Sequence, residues 1–556
     1  MMLMEYMRDK ALRYEGGLTK GGSPDEVSRL TFIGNEQSVR DHKLREYDVW
    51  YGGDGDELLN LYNKSNMIDY GLEPWYWKNA RSYFWCVSST EDDIKRTHSG
   101  QPRNIVDTLC GLVGVPRAAL GALPRSKSSR QTDRLSEILD SCRFWDAYSK
   151  EQVPLTLVEG WGCWKVSWDL ALSDHPFASY YPAQDVDFIY RAGKVSAIVF
   201  RDWYVGVDPT KRYLVTEFRC LVPRHDGSGR LARDLRIETQ AWTAAGGGAD
   251  SGDSIIIPAD IREVPELAGT ESEIVINDFR SLLAEPCVFW RDAKDRTMGG
   301  RSIFSNKIEL FDDLDQELSQ KSNTVRRSTP EELFDTDFLQ RDPETNLPIM
   351  PKVYDRKYVS YAGGGDANGN QISRMPVQTT QPQLNISQYS ESAIATLSHI
   401  LSGLMSPATM GIGVAAQSTQ ESQREKEKVT VSTVNHIDCE EERILKDLFS
   451  DMLSCDDYLR TGAMGKGPYD VTVQFSDFSD KSFEDKEKSL GDALANGAIS
   501  PEMYMKKMYG DSLSDDEWAQ ELDYLKKTHD PSKQQGEDPL SGLDGSQEGG
   551  KDEPGM

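Results

Sequence analysis

The stretch ILSGLMSPATMGIGVAAQSTQESQREKEK, residues 400–428, joins two long helices, and the order of elements around it sets the expected fold. Ile400, Leu401 and Leu404 end an apolar helical stripe that runs into Gly403. No charged residue follows between Ser406 and Ser418. Ser418 and Glu421 then form an S-x-x-E capping box, which opens a charged helix predicted to run to about Tyr458. Upstream, Ile386, Tyr389, Ala393 and Leu397 extend the same stripe. Further upstream, Phe304, Ile308, Phe311, Leu314, Leu318 and Val325 form another, predicting a helix over 301–328 that stops before Pro330. At about 1.5 Å per residue it would span roughly 40 Å. About 55 residues of short strands and turns lie between these two helices.

The 556 residues are enough for two or three cores. No run of apolar residues is long enough for a membrane span, and Glu5 with no small-residue cleavage site after it argues against a signal peptide. Lys plus Arg number 63 against 91 Asp plus Glu, a net charge of −28. A protein that grips nucleic acid neutralises phosphates with a basic face, and this chain as a whole repels them. The eight cysteines include no CxxC pair, and their apolar surroundings predict buried free thiols.

Elsewhere the pattern alternates between classes. Ile105, Val106, Leu109, Leu112 and Val113 predict a helix ending at Gly114, and a second is expected over 132–147. GWGCWKVSWD (160–169) alternates as a half-buried strand, and VDFIYRAGKVSAIVF reads as a hairpin turning at Ala192-Gly193. Further strands are expected in YLVTEFRCLV, around Ile255–Ile257 and in YDVTVQF (469–475). Residues 243–254 read as an exposed loop. Short helices begin at Ser482, Pro501 and Ser514, and the composition from Pro531 predicts disorder.

Chemistry is sparse. GxxxxGK[ST], HExxH and GxSxG are absent, and the seven histidines show no ligand spacing. Asp366, Asn368 and Asn370 imitate a calcium loop, but Gln371 and Val377 occupy its glycine and glutamate places. His98 reads either as a base or as a residue capping a turn. The aromatics Trp75, Tyr76, Trp77, Tyr83, Phe84 and Trp85 read as core or subunit packing rather than base stacking. The basic residues Arg117, Arg125, Lys127, Arg130 and Arg134 read as a phosphate contact or a solvated helix start. The pair Asp312-Asp313 reads as a solvated face. No catalytic, cofactor-binding or metal-ligating residue is expected, and no cofactor.

Four stretches resemble the portal proteins (head-tail connectors) of tailed bacteriophages: HSGQPRNIVDTLCGLVG (98–114), DVDFIYRAGKVSAIVFRDWY (185–204), GGRSIFSNKIELFDDLDQELSQKSN (299–323), and LSGLMSPATMGIG with ESQREKEKVT. The resemblance spans roughly residues 70–530. It implies an α+β protomer with a mixed wing (71–298), a descending stem helix (299–329), a small β-containing clip (330–384) and an ascending stem helix (385–405). A tunnel loop (406–418), a long helix and strand returning to the wing (419–476) and a helical crown (477–530) follow. Residues 1–70 are unassigned, and 531–556 form an acidic tail.

The resemblance also implies a ring of about twelve copies at one capsid vertex. Double-stranded DNA would be packaged and ejected through it, with the terminase large subunit, a head-completion adaptor, and the capsid and scaffolding proteins as partners and no membrane. The tunnel loop would place Pro407, Ala408, Thr409, Met410, Gly411, Ile412, Gly413, Val414 and Gln417 toward DNA, with Arg424 just beyond. Phe304, Ile308, Phe311, Leu314, Leu318, Ile386, Tyr389, Leu397, Ile400 and Leu401 would pack the stem. About twelve copies would carry on the order of −340 formal charges, a field that does not trap phosphates. The rival expectations are a Mg²⁺-dependent DNA-processing enzyme and a virion assembly protein that is not a portal.

Overall fold

A computed structural model describes, with short internal gaps, residues 35–62, 83–86, 94–292, 299–335, 340–349, 357–361, 377–380, 386–412, 420–462, 469–475, 490–509 and 515–528. The chain divides into two compact units, Met1–Ser476 and Asp477–Met556.

The first unit opens with helices α1 (Asn35–Gly52), α2 (Gly55–Leu61) and α3 (Gln101–Val113). Strand β1 (Arg117–Leu120), α4 (Arg125–Ser141) and α5 (Phe144–Ala147) follow. A π-helical turn, Tyr148–Gln152, leads directly into α6 (Val153–Glu159). The helix expected over 132–147 is therefore two helices. Arg143, at φ 49, breaks the chain between them.

An antiparallel meander forms the largest sheet: β4 (Val186–Arg191), β5 (Lys194–Val205), β6 (Arg212–His225), β7 (Leu231–Ala245) and β8 (Ile255–Ala259), with β9 (Glu273–Ile276) also on β7. The β4–β5 turn falls at Ala192 and Gly193, both at positive φ, as the sequence predicts. One face buries Val199, Leu214, Phe218 and Trp242. Strand β7 runs to Ala245, so the loop expected from 243 starts later, and residues 246–254 lie outside the described residues.

A second sheet has the order β10-β2-β3, from β2 (Gly162–Ser167), β3 (Phe177–Pro182) and β10 (Ala284–Cys287). The half-buried expectation for β2 needs correction. Its first five residues are all buried, because neighbours cover both faces. Lys165 meets Glu217 at 2.9 Å and lies over the Tyr181 and Phe200 rings, which lets a charged side chain occupy an inward face. Arg219 joins the same Glu217 at 2.6 Å. Burial by itself would raise the Glu217 pKa, but the Arg219 and Lys165 charges outweigh it and bring the carboxyl down to about 2.

Helix α7 (Ile308–Arg327) begins seven residues after the 301 suggested by the apolar stripe. Residues 301–303 are instead tied to Trp290 and to α6. Arg301 N–H donates to Trp290 O at 2.7 Å and Ile303 N–H to Leu157 O at 3.0 Å. Ser302 Oγ donates to Val158 O. The approach is so close that a Cβ on Gly300 would sit 2.2 Å from Gly160 O. Twenty helical residues at about 1.5 Å each span roughly 30 Å.

Strands β11 (Glu331–Asp335), β12 (Lys357–Tyr361) and β13 (Val377–Thr380) form a separate sheet, with β11 central, parallel to β12 and antiparallel to β13. Helix α8 (Ile386–Leu401) follows, then the 42-residue α9 (Gln420–Thr461). Helix α9 carries one side of the core through Val434, Ile437, Ile444, Leu448, Phe449 and Met452, all fully buried. Strand β14 (Val471–Gln474) closes the unit by pairing with β1, a strand the sequence pattern does not reveal. In the second unit, α10 (Pro501–Tyr509) and α11 (Asp515–Thr528) are joined by Lys526 and Glu502 at 2.8 Å.

The architecture is mixed, with long helices and mainly antiparallel sheets, which is the α+β class. Among the described residues no helix is long and apolar enough to cross a membrane. The cysteines are free, and Cys163, Cys220, Cys287 and Cys455 are buried as expected, while Cys439 is exposed.

Candidate functional site

The start of α7 meets the end of α8. Lys307 Nζ donates to Ile400 O, and to Ser402 O at 3.2 Å. Farther along, Glu317 accepts from Ser392 Oγ at 2.5 Å and from Thr396 at 3.3 Å. The two helices are therefore antiparallel. The Lys307 ammonium caps the carbonyl end of α8, where the helix dipole favours a cation. Burial lowers its pKa.

Of the ten stem residues, Phe304, Ile308, Phe311, Leu314, Ile400 and Leu401 are buried. Leu318, Ile386, Tyr389 and Leu397 are half-buried. Phe304 and Phe311 also pack on α1, through Tyr47 and Trp50 respectively. The helix pair also carries exposed apolar side chains: Val325 is 49% and Ile394 53% exposed.

The chain leaves α8 through Gly403, at φ 74, and enters a 3₁₀ turn, Pro407–Met410. Ser406 caps that turn, its Oγ accepting from Ala408 N–H at 3.3 Å, and Gly411 closes it at φ 74. Two threonines of α9 fasten this turn. Thr430 Oγ1 accepts from Ser406 N–H at 2.9 Å and lies 2.8 Å from Thr409 Oγ1. Thr433 Oγ1 donates to Leu404 O at 2.7 Å.

Pro407, Ala408, Thr409, Met410 and Ile412 are half-buried and Gly411 is exposed. A groove of about 600 Å³ opens beside them, lined by Gln101, Asn104, Asp107 and Thr108 of α3 and by Leu397, Thr409, Met410 and Ile412. Gly413, Val414 and Gln417 lie outside the described residues. Arg424 belongs to α9, and its side chain lies outside them too.

A second constellation was missed at the sequence level. Asp312 is 3% and Asp315 0% exposed. The expectation that Asp312-Asp313 is a solvated pair holds only for Asp313, which is exposed. Asp312 accepts from Phe84 N–H at 2.7 Å and Trp85 N–H at 3.3 Å. Burial raises its pKa to about 6, against the opposing pull of those two amides. Asp315 accepts from Ser99 N–H at 2.8 Å and Trp85 Nε1 at 3.1 Å, and meets His98 Nδ1 at 2.7 Å. Ser319 Oγ accepts from Thr97 N–H at 2.9 Å. These three residues, spaced three and four apart, occupy one helix face and clamp residues 84–85 and 97–99 to α7. The only signal for them is polar residues set into an apolar stripe. His98 is a member of this clamp, and Trp85 is buried in the core.

The remaining candidates separate. Arg134 is anchored to α9, with Nε 2.5 Å from Asp456 and Nη2 2.8 Å from Asp457, while Arg130 is exposed. The side chains of Arg117, Arg125 and Lys127 are outside the described residues, as are Trp75, Tyr76, Trp77 and the calcium-like Asp366, Asn368 and Asn370. Among the described residues no three His, Cys, Asp or Glu side chains converge as a metal site.

Buried carboxylates line α9. Glu441 is fully buried and accepts from Gln152 Nε2 of the π-helical turn at 2.5 Å. Burial raises its pKa to about 8. Burial, with Asp447 and Asp451 nearby, raises that of Glu285 to about 8 as well. Burial raises Asp451 to about 7, despite its bond from Ser281 Oγ.

No protein-family model matches the chain. No curated protein matches it in sequence. Among solved structures, a chain from the neck of an empty GTA particle, computed with C6 symmetry, is 9% identical. That overlap covers 73% of this chain and 88% of the other, with a TM-score of 0.32. At that score it carries no argument for the architecture, which rests on the elements described above.

Proposed function

We propose that this chain is the protomer of a portal-type ring, a non-catalytic conduit through which double-stranded DNA enters and leaves a phage capsid at one vertex. What supports the reading most is one feature: two antiparallel helices carry a separate three-stranded sheet between them, and a capped, charge-free turn follows. That hairpin presents its sheet to an outside partner, here the packaging terminase and later the head-completion adaptor. The turn at Pro407–Met410 is fastened by Thr430, so the segment that follows starts from a fixed point. In the ring that segment faces the channel, where small and apolar side chains slide past phosphates with little counterion release. Exposed Val325 and Ile394 are apolar surface that neighbouring copies would cover.

Particle mass and negative-stain imaging of the purified chain test this. A closed ring near twelve copies with a central hole is expected. Particles without a hole, or a monomer at every concentration with assembly partners present, refute it. Cleavage of DNA in the presence of Mg²⁺ refutes the non-catalytic part.

A further inference from the structure

Beyond the helix pair, a cleft of about 400 Å³ opens between residues 288–291, Arg301 and α9. Its lining includes Trp290, Arg291, Arg301, His436, Glu440 and Arg443. Among the described lining residues, three guanidinium groups therefore share one small space with a single carboxylate, on a chain whose net charge is −28.

The cleft is built rather than incidental. Arg301 N–H donates to Trp290 O at 2.7 Å, tying its two backbone walls together. His436 Nε2 lies 2.9 Å from Phe289 O. A carbonyl only accepts, so Nε2 carries the hydrogen. The same ring stacks on Trp290, centroids 5.5 Å apart at 30°, which fixes the indole as a floor.

Among the described residues, two of the three arginines have no carboxylate partner and the third keeps an exposed edge. Arg443 reaches Glu440 at 3.3 Å and Glu285 at 3.4 Å, both long contacts, and remains 49% exposed. Arg291 and Arg301 are exposed, and among the described residues neither side chain has an ion-pair partner. Guanidinium groups are weakly hydrated and match planar oxyanions with paired N–H donors.

We propose that this cleft receives a carboxylate-bearing segment of a second copy of the chain, and so forms part of the contact between neighbouring protomers. The occupant follows from charge complementarity. Every copy carries 91 carboxylates against 63 basic groups, so acidic surface is what a neighbour has most of. Closed rings use heterologous contacts, in which a patch meets a different surface on the next copy, as an arginine cleft meeting an acidic segment does. The inference rests on the ring reading above, and it assigns the polarity of one contact within it.

The test uses the full chain. Arg301→Lys places an amine in the cleft, and a carbodiimide then joins it to any carboxylate it touches. A mixture of ¹⁴N- and ¹⁵N-labelled protein should give mixed-label peptides linking position 301 to an Asp or Glu. In parallel, Arg291→Glu combined with Arg301→Glu should raise the protein concentration needed for assembly at least tenfold by mass photometry. Both sites are exposed, so the thermal midpoint should be unchanged.

Links only within one label, or no links, overturn the proposal. So does a double variant that assembles like the wild type. A double variant that assembles normally but loses binding to a labelled DNA duplex shows the cleft to be a phosphate site instead. In those cases the wild-type ring survives and only the cleft assignment fails. A wild type that never self-associates sinks both.

Discussion

Glu441→Gln is the sharpest probe of how α9 is seated. The Glu441 carboxyl is fully buried beneath the π-helical turn, and burial lifts its pKa to about 8 from an ordinary 4.5. Between those two values the folded chain holds a proton that the unfolded chain has released. Stability therefore falls as pH rises, by about 1.4 kcal/mol per unit for this one group. The contribution is fully present below the unfolded pKa and is lost by the time pH passes about 8. Over that window the loss is about 5 kcal/mol.

Glutamine has nearly the same shape and cannot ionise. It can keep the bond from Gln152 Nε2, but it places an amide where Glu441 Oε2 has no hydrogen-bond partner among the described residues. That mismatch costs about 1–3 kcal/mol at every pH. The pH trend of the difference between the two proteins is therefore the diagnostic, not its absolute size. Urea unfolding followed by tryptophan fluorescence at pH 5, 6, 7, 8 and 9 measures it. The variant should gain on the wild type from pH 5 to 8 and hold a constant lead above that. Glu285 and Asp451 titrate in the same direction in both proteins and cancel in the difference. Two parallel pH profiles would refute the reasoning, because Glu441 would then titrate alike folded and unfolded.

Asp315→Ala leaves Ser99 N–H, Trp85 Nε1 and His98 without their acceptor, and should cost about 3–5 kcal/mol, read as a lowered urea midpoint. Thr430→Val removes the partners of Ser406 N–H and Thr409 Oγ1; stability should fall by about 1–2 kcal/mol and amide exchange at Ser406 should speed up. Leu314→Pro breaks α7 beside Asp315 at a cost of about 3 kcal/mol or more per copy, and rings should be absent from negative-stain fields. Normal rings from that variant would show that α7 carries no assembly contacts.

Much of the backbone plan was legible because period and punctuation are local properties. The stripe Ile308, Phe311 and Leu314 lies on a real helix, and the charged helix expected after Ser418 is α9, from Gln420, while Ser418 itself lies outside the described residues. The Ala192-Gly193 turn also falls where the pattern put it. The first turn of the stem was misplaced because its residues obey a contact the pattern does not contain. Gly300 meets Gly160 across some 140 positions, and the residues that follow it form turns rather than helix. Strand β1 was invisible for the same reason: RAAL becomes a strand only because Val471–Gln474 lies beside it.

Composition and spacing thus determined the helix–sheet–helix order, the charge-free turn and the absence of recognisable catalytic motifs. Tertiary structure alone decided that Asp312, Asp315 and Ser319 face inward, that Lys165 and Glu441 are buried, and that three distant arginines share one cleft. A polar side chain's role depends on which donors and charges the fold brings within about 3 Å, and that distance is set by the whole chain.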